Sequence, residues 1–99
     1  MTDRLDVSVF ASRKGQIFVL CSPDGTRQDM ELVEVNDLGR RATPQGELSN
    51  YGLVFLARVP TALPQAVYRV EHDALGGMDV FLVPIGRDGD GVRYEAIFN

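Results

Sequence analysis

The chain has 99 residues, a length that predicts one domain spanning residues 1–99. Its formal net charge of −4 argues against nucleic-acid binding, because contacts to phosphates favour a basic surface. The single cysteine, Cys21, excludes an internal disulfide and favours the cytoplasm. The N-terminus lacks the basic and apolar segments of a signal peptide, and no apolar run reaches the ~20 residues that span a bilayer. We therefore expect a cytoplasmic protein without a membrane segment.

The first predicted element is a short helix within residues 5–15. Asp6 or Ser8 is suited to cap its start, because either side chain can accept hydrogen bonds from the first backbone N–H groups. A helix of about two turns is not stable by itself and needs to pack against the rest of the protein. We expect it to do so through Val9 and Phe10.

Six strands are predicted after the helix, because β-branched and aromatic residues recur between turns rich in glycine and proline. They span residues 16–21, 28–36, 52–59, 66–72, 78–85 and 92–98. Most of the turns are short, so strands that follow each other in sequence are expected to pair antiparallel. The predicted fold class is mainly β: a single small antiparallel six-stranded barrel-like or sandwich meander with a short N-terminal helix. The barrel-like form, with the helix plugging one end, is the favoured one.

Residues 37–51 have no clean period and are predicted to form a long irregular loop. Loops of this length are uncommon in compact domains and are often functional or mobile. Arg40 and Arg41 lie within the segment. Tyr51 lies at its end and is a candidate for an exposed aromatic contact.

The strands contain more apolar residues than a small barrel can readily bury, among them Val54, Leu56, Val67, Val83 and Ile97. One reading is burial on both faces of the sheet by the helix and the loops. The other is an exposed apolar patch that binds another protein. The interaction surface predicted from the sequence consists of Arg40, Arg41, Tyr51, Val54, Leu56 and Val67.

The segment Asp88-Gly89-Asp90-Gly91 resembles the start of a calcium-binding loop. A complete EF-hand loop needs a third oxygen ligand before the glycine and a later glutamate, and neither is present. Asp-Gly is also a favoured dipeptide of β-hairpin turns. The sequence therefore favours a hairpin at this position.

His72 is the only histidine, and one histidine with one cysteine does not supply the three or four ligands of a zinc site. Cys21 and His72 would form a nucleophile and base only if the fold brought them together. The commoner structural role is a cysteine that packs as a small hydrophobe. Since no glycine-rich phosphate-binding motif occurs either, we expect no enzymatic activity, no cofactor and no metal.

Four stretches carry a family resemblance: FLVPIGRDGDGVRYEAIFN (81–99), ALPQAVYRVEHDALGGMDV (62–80), FASRKGQIF (10–18) and MELVEV (30–35). They resemble an uncharacterised small bacterial family, a domain of unknown function whose members end in a phrase like FLVPxGxDGxGxRYEAxFN. The resemblance implies occurrence beside tail-fibre-like or tail-collar-like proteins, and hence an accessory or structural role. It implies no catalytic residues.

The leading expectation is a non-enzymatic protein-interaction domain whose partner is another protein or a second copy of itself. It is not expected to bind nucleic acid or a membrane. One alternative is a structural or accessory component of a phage-tail-like assembly. Another is a small-molecule binder at the barrel mouth near Glu71, His72 and residues 37–51, although small barrels usually fill with side chains.

Overall fold

The computed structural model describes residues 5–89 and 91–98, which form one short helix and six strands. The helix, α1, is Val7–Ala11. The strands are β1 (Ile17–Cys21), β2 (Arg27–Thr43), β3 (Gly46–Ala57), β4 (Ala66–His72), β5 (Gly76–Asp88) and β6 (Gly91–Phe98).

The strands form a single antiparallel sheet that closes in a barrel-like ring in the order β1-β2-β3-β6-β5-β4. The predicted fold class is thus confirmed in its barrel-like form. The order departs from a simple meander, because β3 pairs with β6 and β4 pairs with β1. Residues 58–65 carry the chain from β3 across one end of the ring to β4. Two core tyrosines hold this crossing: the Tyr94 hydroxyl accepts from the Leu63 N–H at 2.8 Å, and the Tyr68 hydroxyl donates to the Pro64 carbonyl at 2.6 Å.

Alternate strand residues fill the interior of the ring, as strand geometry requires. On β4 and β6, Tyr68, Val70, Tyr94 and Ala96 point inward and are buried. On β2 the register shifts just after Leu32, so that Leu32 and Glu34 pair with the adjacent residues Phe55 and Val54, which is a β-bulge.

Helix α1 plugs one end of the ring through Phe10. The Asp6 carboxylate caps the helix by accepting from the Ser8 N–H at 3.2 Å. Phe10 is 1% exposed, and its ring centroid lies 5.7–6.3 Å from those of three other aromatic side chains. These are Phe18, Tyr51 and Phe98. The predicted helix and its packing through Phe10 are therefore confirmed, whereas the second residue of the helix that packs on the core is Val7 and not the expected Val9.

Residues 37–51 form part of a β-hairpin, and the expected irregular loop was wrong. β2 continues to Thr43 and β3 already begins at Gly46. Alternating polarity arises where one face of a strand is buried and the other is wet. Most of this hairpin is exposed on both faces, including residues 36–42 and 44–47, so its residues show no alternation.

Tyr51, Val54 and Leu56 are buried, so the expectation that they belong to an exposed surface was wrong. Their exposed fractions are 0%, 4% and 6%. Tyr51 lies among the core aromatics, whereas Val54 and Leu56 are on the outer face of β3. Arg93 on β6 forms an ion pair of 2.8 Å with Glu34 on β2, across the outer face of β3. In the strand register Glu34 is opposite Val54 and Arg93 is opposite Leu56, so we infer that the aliphatic stems of these long side chains cover the two apolar residues.

Candidate functional site

The part of the β2–β3 hairpin that extends beyond the ring, residues 37–50, is a two-stranded ribbon that we call the arm. Its strands are joined by cross-strand pairs from Arg40–Ser49 to Thr43–Gly46. In the part of the chain that the structure describes, β3 pairs with β6 only from Tyr51 onward, so no described strand lies on the other side of the β3 half of the arm. The arm accords with the elongated shape of the protein, which measures 43 × 25 × 23 Å.

The β2 half of the arm also has a free edge. The pairing of β2 with β1 ends at Glu31, and only backbone hydrogen bonds between Leu32 and residues 15–16 extend it. Among the described residues, no strand pairs with β2 on this side from residue 33 to residue 43. Within residues 5–89 and 91–98, neither outer edge of the arm therefore has a neighbouring strand.

A tight turn closes the tip of the arm. Pro44 occupies the second position and Gly46 the fourth, as type I turns favour. Gly46 has φ +121°, which a residue with a side chain rarely adopts. The Thr43 hydroxyl donates to the Gly46 carbonyl at 2.6 Å. This turn signature is the sequence signal that could have identified the hairpin. The prediction of a loop overlooked it.

A β-bulge lies where the arm leaves the ring. The register shifts between Asp37 and Arg40, so that two residues on β2, Leu38 and Gly39, lie opposite the single residue Asn50 on β3. Gly39 has φ +98°, and its N–H donates to the Asp37 carboxylate at 2.9 Å. Bulges bend a strand and increase its twist, so this one sets the direction of the arm. It also leaves Leu38 55% exposed.

The base of the arm is tied to the segment that precedes α1. One oxygen of Asp6 accepts from the Ser49 hydroxyl at 3.0 Å and lies 3.4 Å from the Arg40 guanidinium. The Tyr51 hydroxyl donates to the Leu5 carbonyl at 2.6 Å. Hydrogen bonds from Ser8, then Ser49, together with the charge of Arg40, hold the pKa of Asp6 below its usual value. The arm is thus braced at its base and exposed at its tip.

The residues of the predicted interaction surface do not form one site. Arg40 and Arg41 are exposed on neighbouring positions of the arm and point to opposite faces of the ribbon. Val67 is 61% exposed, but it lies on β4, away from the arm. The buried Tyr51, Val54 and Leu56 separate these two exposed regions.

His72 is fully engaged by its own chain. Its Nδ1 accepts from the N–H groups of Ala74 at 3.0 Å and Leu75 at 3.3 Å, which assigns the ring proton to Nε2. Nε2 then donates to the Gln16 side-chain oxygen at 2.7 Å. The imidazole also packs on Phe18, with ring centroids 4.5 Å apart. These contacts make His72 a structural residue that stabilises the β4–β5 turn.

Cys21 and His72 are not brought together. Cys21 is a free cysteine on β1, paired in register with Arg69 on β4. His72 is three positions further along β4 than Arg69, which is about 10 Å at the usual rise per residue. The Cys21 sulfur instead accepts a hydrogen bond from Arg27 at 3.5 Å.

An open groove of about 400 Å³ lies beside His72, where a small-molecule site was an alternative. Its main charged groups already satisfy one another, because Glu71 pairs with Arg27 at 2.9 Å and with Arg69 at 3.1 Å. Hydrogen bonds from Arg69 and then Arg27 hold the pKa of Glu71 below its usual value. The groove therefore offers a ligand few unpaired charges.

The predicted hairpin at Asp88 is confirmed, because Asp88 pairs with Gly91 across the end of β5 and β6. Asp90 lies outside the described residues. The Asp88 carboxylate forms an ion pair of 3.2 Å with Arg93. Among residues 5–89 and 91–98, no group of three or more histidine, cysteine, aspartate or glutamate side chains is placed to hold a metal ion.

None of the described helices has the length and apolar character needed to cross a membrane.

Comparison with known proteins places the chain in a family. Residues 5–98 match the family described as "Domain of unknown function (DUF6916)". No curated protein and no solved structure matches the chain. The match confirms the expected resemblance to an uncharacterised domain of unknown function. The chain therefore belongs to the DUF6916 family.

Proposed function

We propose that this protein is a non-enzymatic protein-interaction domain of the cytoplasm and that the arm is its binding element. The partner is an extended segment of another protein, which adds as a strand to an edge of the arm. The observation that supports the proposal is a projecting ribbon with no described strand beside either edge. A free edge of this kind is a template for main-chain hydrogen bonds with an added strand.

The β3 edge of the arm has few of the features by which proteins block unwanted pairing. Such features are charged side chains, above all lysines, prolines within the strand, bulges and cover by another element. Residues 37–50 contain no lysine, their one proline, Pro44, is in the turn, and Glu47 is the one charged residue of the β3 half. The bulge lies on β2. The β3 edge at residues 46–48 is consequently the more regular of the two edges and is the one we assign to the partner.

Two further features support the β3 edge. An added strand there would continue the line of β6, whose last described pair with β3 is Tyr51–Phe98. Asn50, which lies between this edge and the ring, has a buried side-chain oxygen that accepts no hydrogen bond from the described residues. A donor on the partner strand would satisfy that oxygen, since buried polar atoms are usually hydrogen-bonded.

The charges on the arm indicate what the partner segment should carry. Asp6 neutralises Arg40, whereas Arg41 makes no ion pair with any described residue. Arg41 lies opposite Leu48 on the face of the ribbon turned away from the Ser49–Arg40 pair. We therefore expect an apolar residue and an acidic residue on the same face of the bound segment.

The first experiment identifies the partner by site-specific photo-crosslinking in the native cells. A crosslinking residue replaces Glu47 in the arm or, as the control, Ala62 in the exposed crossing at the other end of the ring. We expect a discrete adduct from position 47 and none from position 62. Equal adducts from both positions would contradict the proposal.

The second experiment measures binding of the purified partner to an arm-shortened variant, in which Asn-Gly replaces residues 41–48. Arg40 and Ser49 then close a two-residue hairpin, for which Asn-Gly is favoured. A control of full length places the same Asn-Gly turn at Pro44 and Gln45 only. Binding should be lost in the shortened variant and kept in the control. Unchanged affinity after shortening would refute the role of the arm.

The alternative role in a phage-tail-like assembly rests on the resemblance of the C-terminal phrase. In that case the partner segment would belong to a repeated subunit of a particle. Sedimentation of native lysate distinguishes the two roles, because an assembly component pellets with particles, whereas the domain in a binary complex stays in the supernatant.

A further inference from the structure

The outer face of β4 and β5 carries an exposed apolar pair. Val67 and Phe81 lie directly opposite each other in the β4–β5 register, so both side chains point outward on the same face. Val67 is 61% exposed and Phe81 is 52% exposed. An aromatic side chain exposed to this extent beside a β-branched one is characteristic of contact surfaces rather than of solvated sheet.

A pair of opposite charges lies next to the apolar pair on the same face. Arg69 on β4 is opposite Asp79 on β5, two residues along each strand. The Arg69 guanidinium nevertheless binds Glu71 at 3.1 Å, and Asp79 makes no ion pair with any described residue. Asp79 is thus a carboxylate available to a guanidinium from outside.

We propose that two copies of this chain pack face to face through this surface. A two-fold axis that runs along the strands between β4 and β5 places β4 of each copy over β5 of the other. Val67 then packs on Phe81 of the second copy, and Arg69 meets its Asp79. Each contact occurs twice, as an isologous interface requires. The two sheets would lie ~10 Å apart with their strands nearly aligned.

The charges of Arg69 and Asp79 favour a second copy of the chain as the binding partner of this surface. The apolar pair and the charged pair both lie across the same β4–β5 boundary. The axis that brings apolar against apolar therefore also brings each arginine against an aspartate. A partner surface of one charge would leave one of the two groups opposed by its own sign, which is unfavourable in an interface.

This interface is separate from the arm, which belongs to β2 and β3. The two proposals can consequently fail independently. The arm-shortened variant should dimerise like the wild type, and a variant with a disrupted β4–β5 surface should still bind the partner segment.

Sedimentation velocity of the full chain, from micromolar to millimolar concentration, tests the proposal. We expect a reversible monomer–dimer equilibrium. Phe81→Glu should be monomeric throughout, whereas Ile17→Glu, a matched change at a residue 51% exposed on β1, should dimerise normally. A wild type that stays monomeric, or a Phe81→Glu dimer, would overturn the proposal.

A charge exchange gives a sharper readout. Asp79→Arg should weaken dimerisation by roughly tenfold or more, because like charges then meet across the axis. The double variant Arg69→Asp/Asp79→Arg should restore it, since the opposed pair is only reversed. Both positions are exposed, so the variants should remain folded, which circular dichroism checks. Failure of the double variant to recover dimerisation would contradict the proposed axis.

Discussion

Replacement of Phe10 by alanine tests whether α1 is an integral part of the fold. Phe10 is 1% exposed and is packed against three aromatic side chains from the ring. Removal of a buried phenylalanine side chain costs about 3–5 kcal/mol, through lost burial and the cavity that remains. Domains of this size have total stabilities of about 5–15 kcal/mol. Phe10→Ala should therefore lose a large fraction of the free energy of unfolding.

Urea denaturation followed by tyrosine fluorescence measures this loss. With a typical slope of ~2 kcal/mol per molar urea, a loss of ~4 kcal/mol lowers the midpoint by about 2 M. Ala11→Gly is the control, because it weakens the exposed side of the same helix by only about 1 kcal/mol and leaves the core intact. If Phe10→Ala does not fold, Phe10→Leu gives a smaller shift in the same direction.

A midpoint shift for Phe10→Ala no larger than that for Ala11→Gly would refute the reasoning. It would mean that the helix lies on the ring without closing it.

Two further predictions concern the outer face of β3 and the N-terminal brace. Leu56→Ala should cost about 2–4 kcal/mol, although Leu56 faces outward, because the Arg93–Glu34 ion pair covers it. The same change at the exposed Leu38 should alter the free energy of unfolding by no more than about 0.5 kcal/mol. Equal losses for the two variants in urea titrations would argue that the ion pair does not cover Leu56. Because the pKa of Asp6 is lowered in the folded protein, its stabilising contribution is present above its ordinary value of 3.8 and is lost as the pH falls through the folded value. In Asp6→Asn, which keeps a capping side chain, stability should fall less between pH 5 and pH 2 than in the wild type, and identical acid profiles would argue against the brace.

The strands of the ring were predictable because each is buried on one face. β4 was predicted with its observed bounds, and β6 differs by one residue, since Tyr68, Val70, Tyr94 and Ala96 alternate with polar residues. The order of the strands in the ring was not predictable in the same way. The path of residues 58–65 across the ring depends in part on the hydrogen bond from Leu63 to Tyr94, which is 31 residues away in sequence.

The candidate site was harder to predict for a physical reason. The arm is wet on both faces, so it lacks the alternation that burial imposes on a strand. Only its turn, from Thr43 to Gly46, had a local signature. The exposure of apolar residues on the outer face of the sheet was equally hard to predict. It depends on which long side chains from neighbouring strands cover them. Val67 stays exposed, whereas Leu56 is covered by an ion pair between strands that are far apart in sequence.

Amide hydrogen exchange tests the proposed binding mode most directly. It is measured on the free protein and on its complex with the segment identified by crosslinking. A two-stranded ribbon is only marginally stable, so amides 37–50 should exchange rapidly in the free protein. In the complex, amides 46–48 should become strongly protected, while the exposed crossing at residues 58–65 stays unchanged. Binding without added protection in the arm would contradict strand addition at this edge.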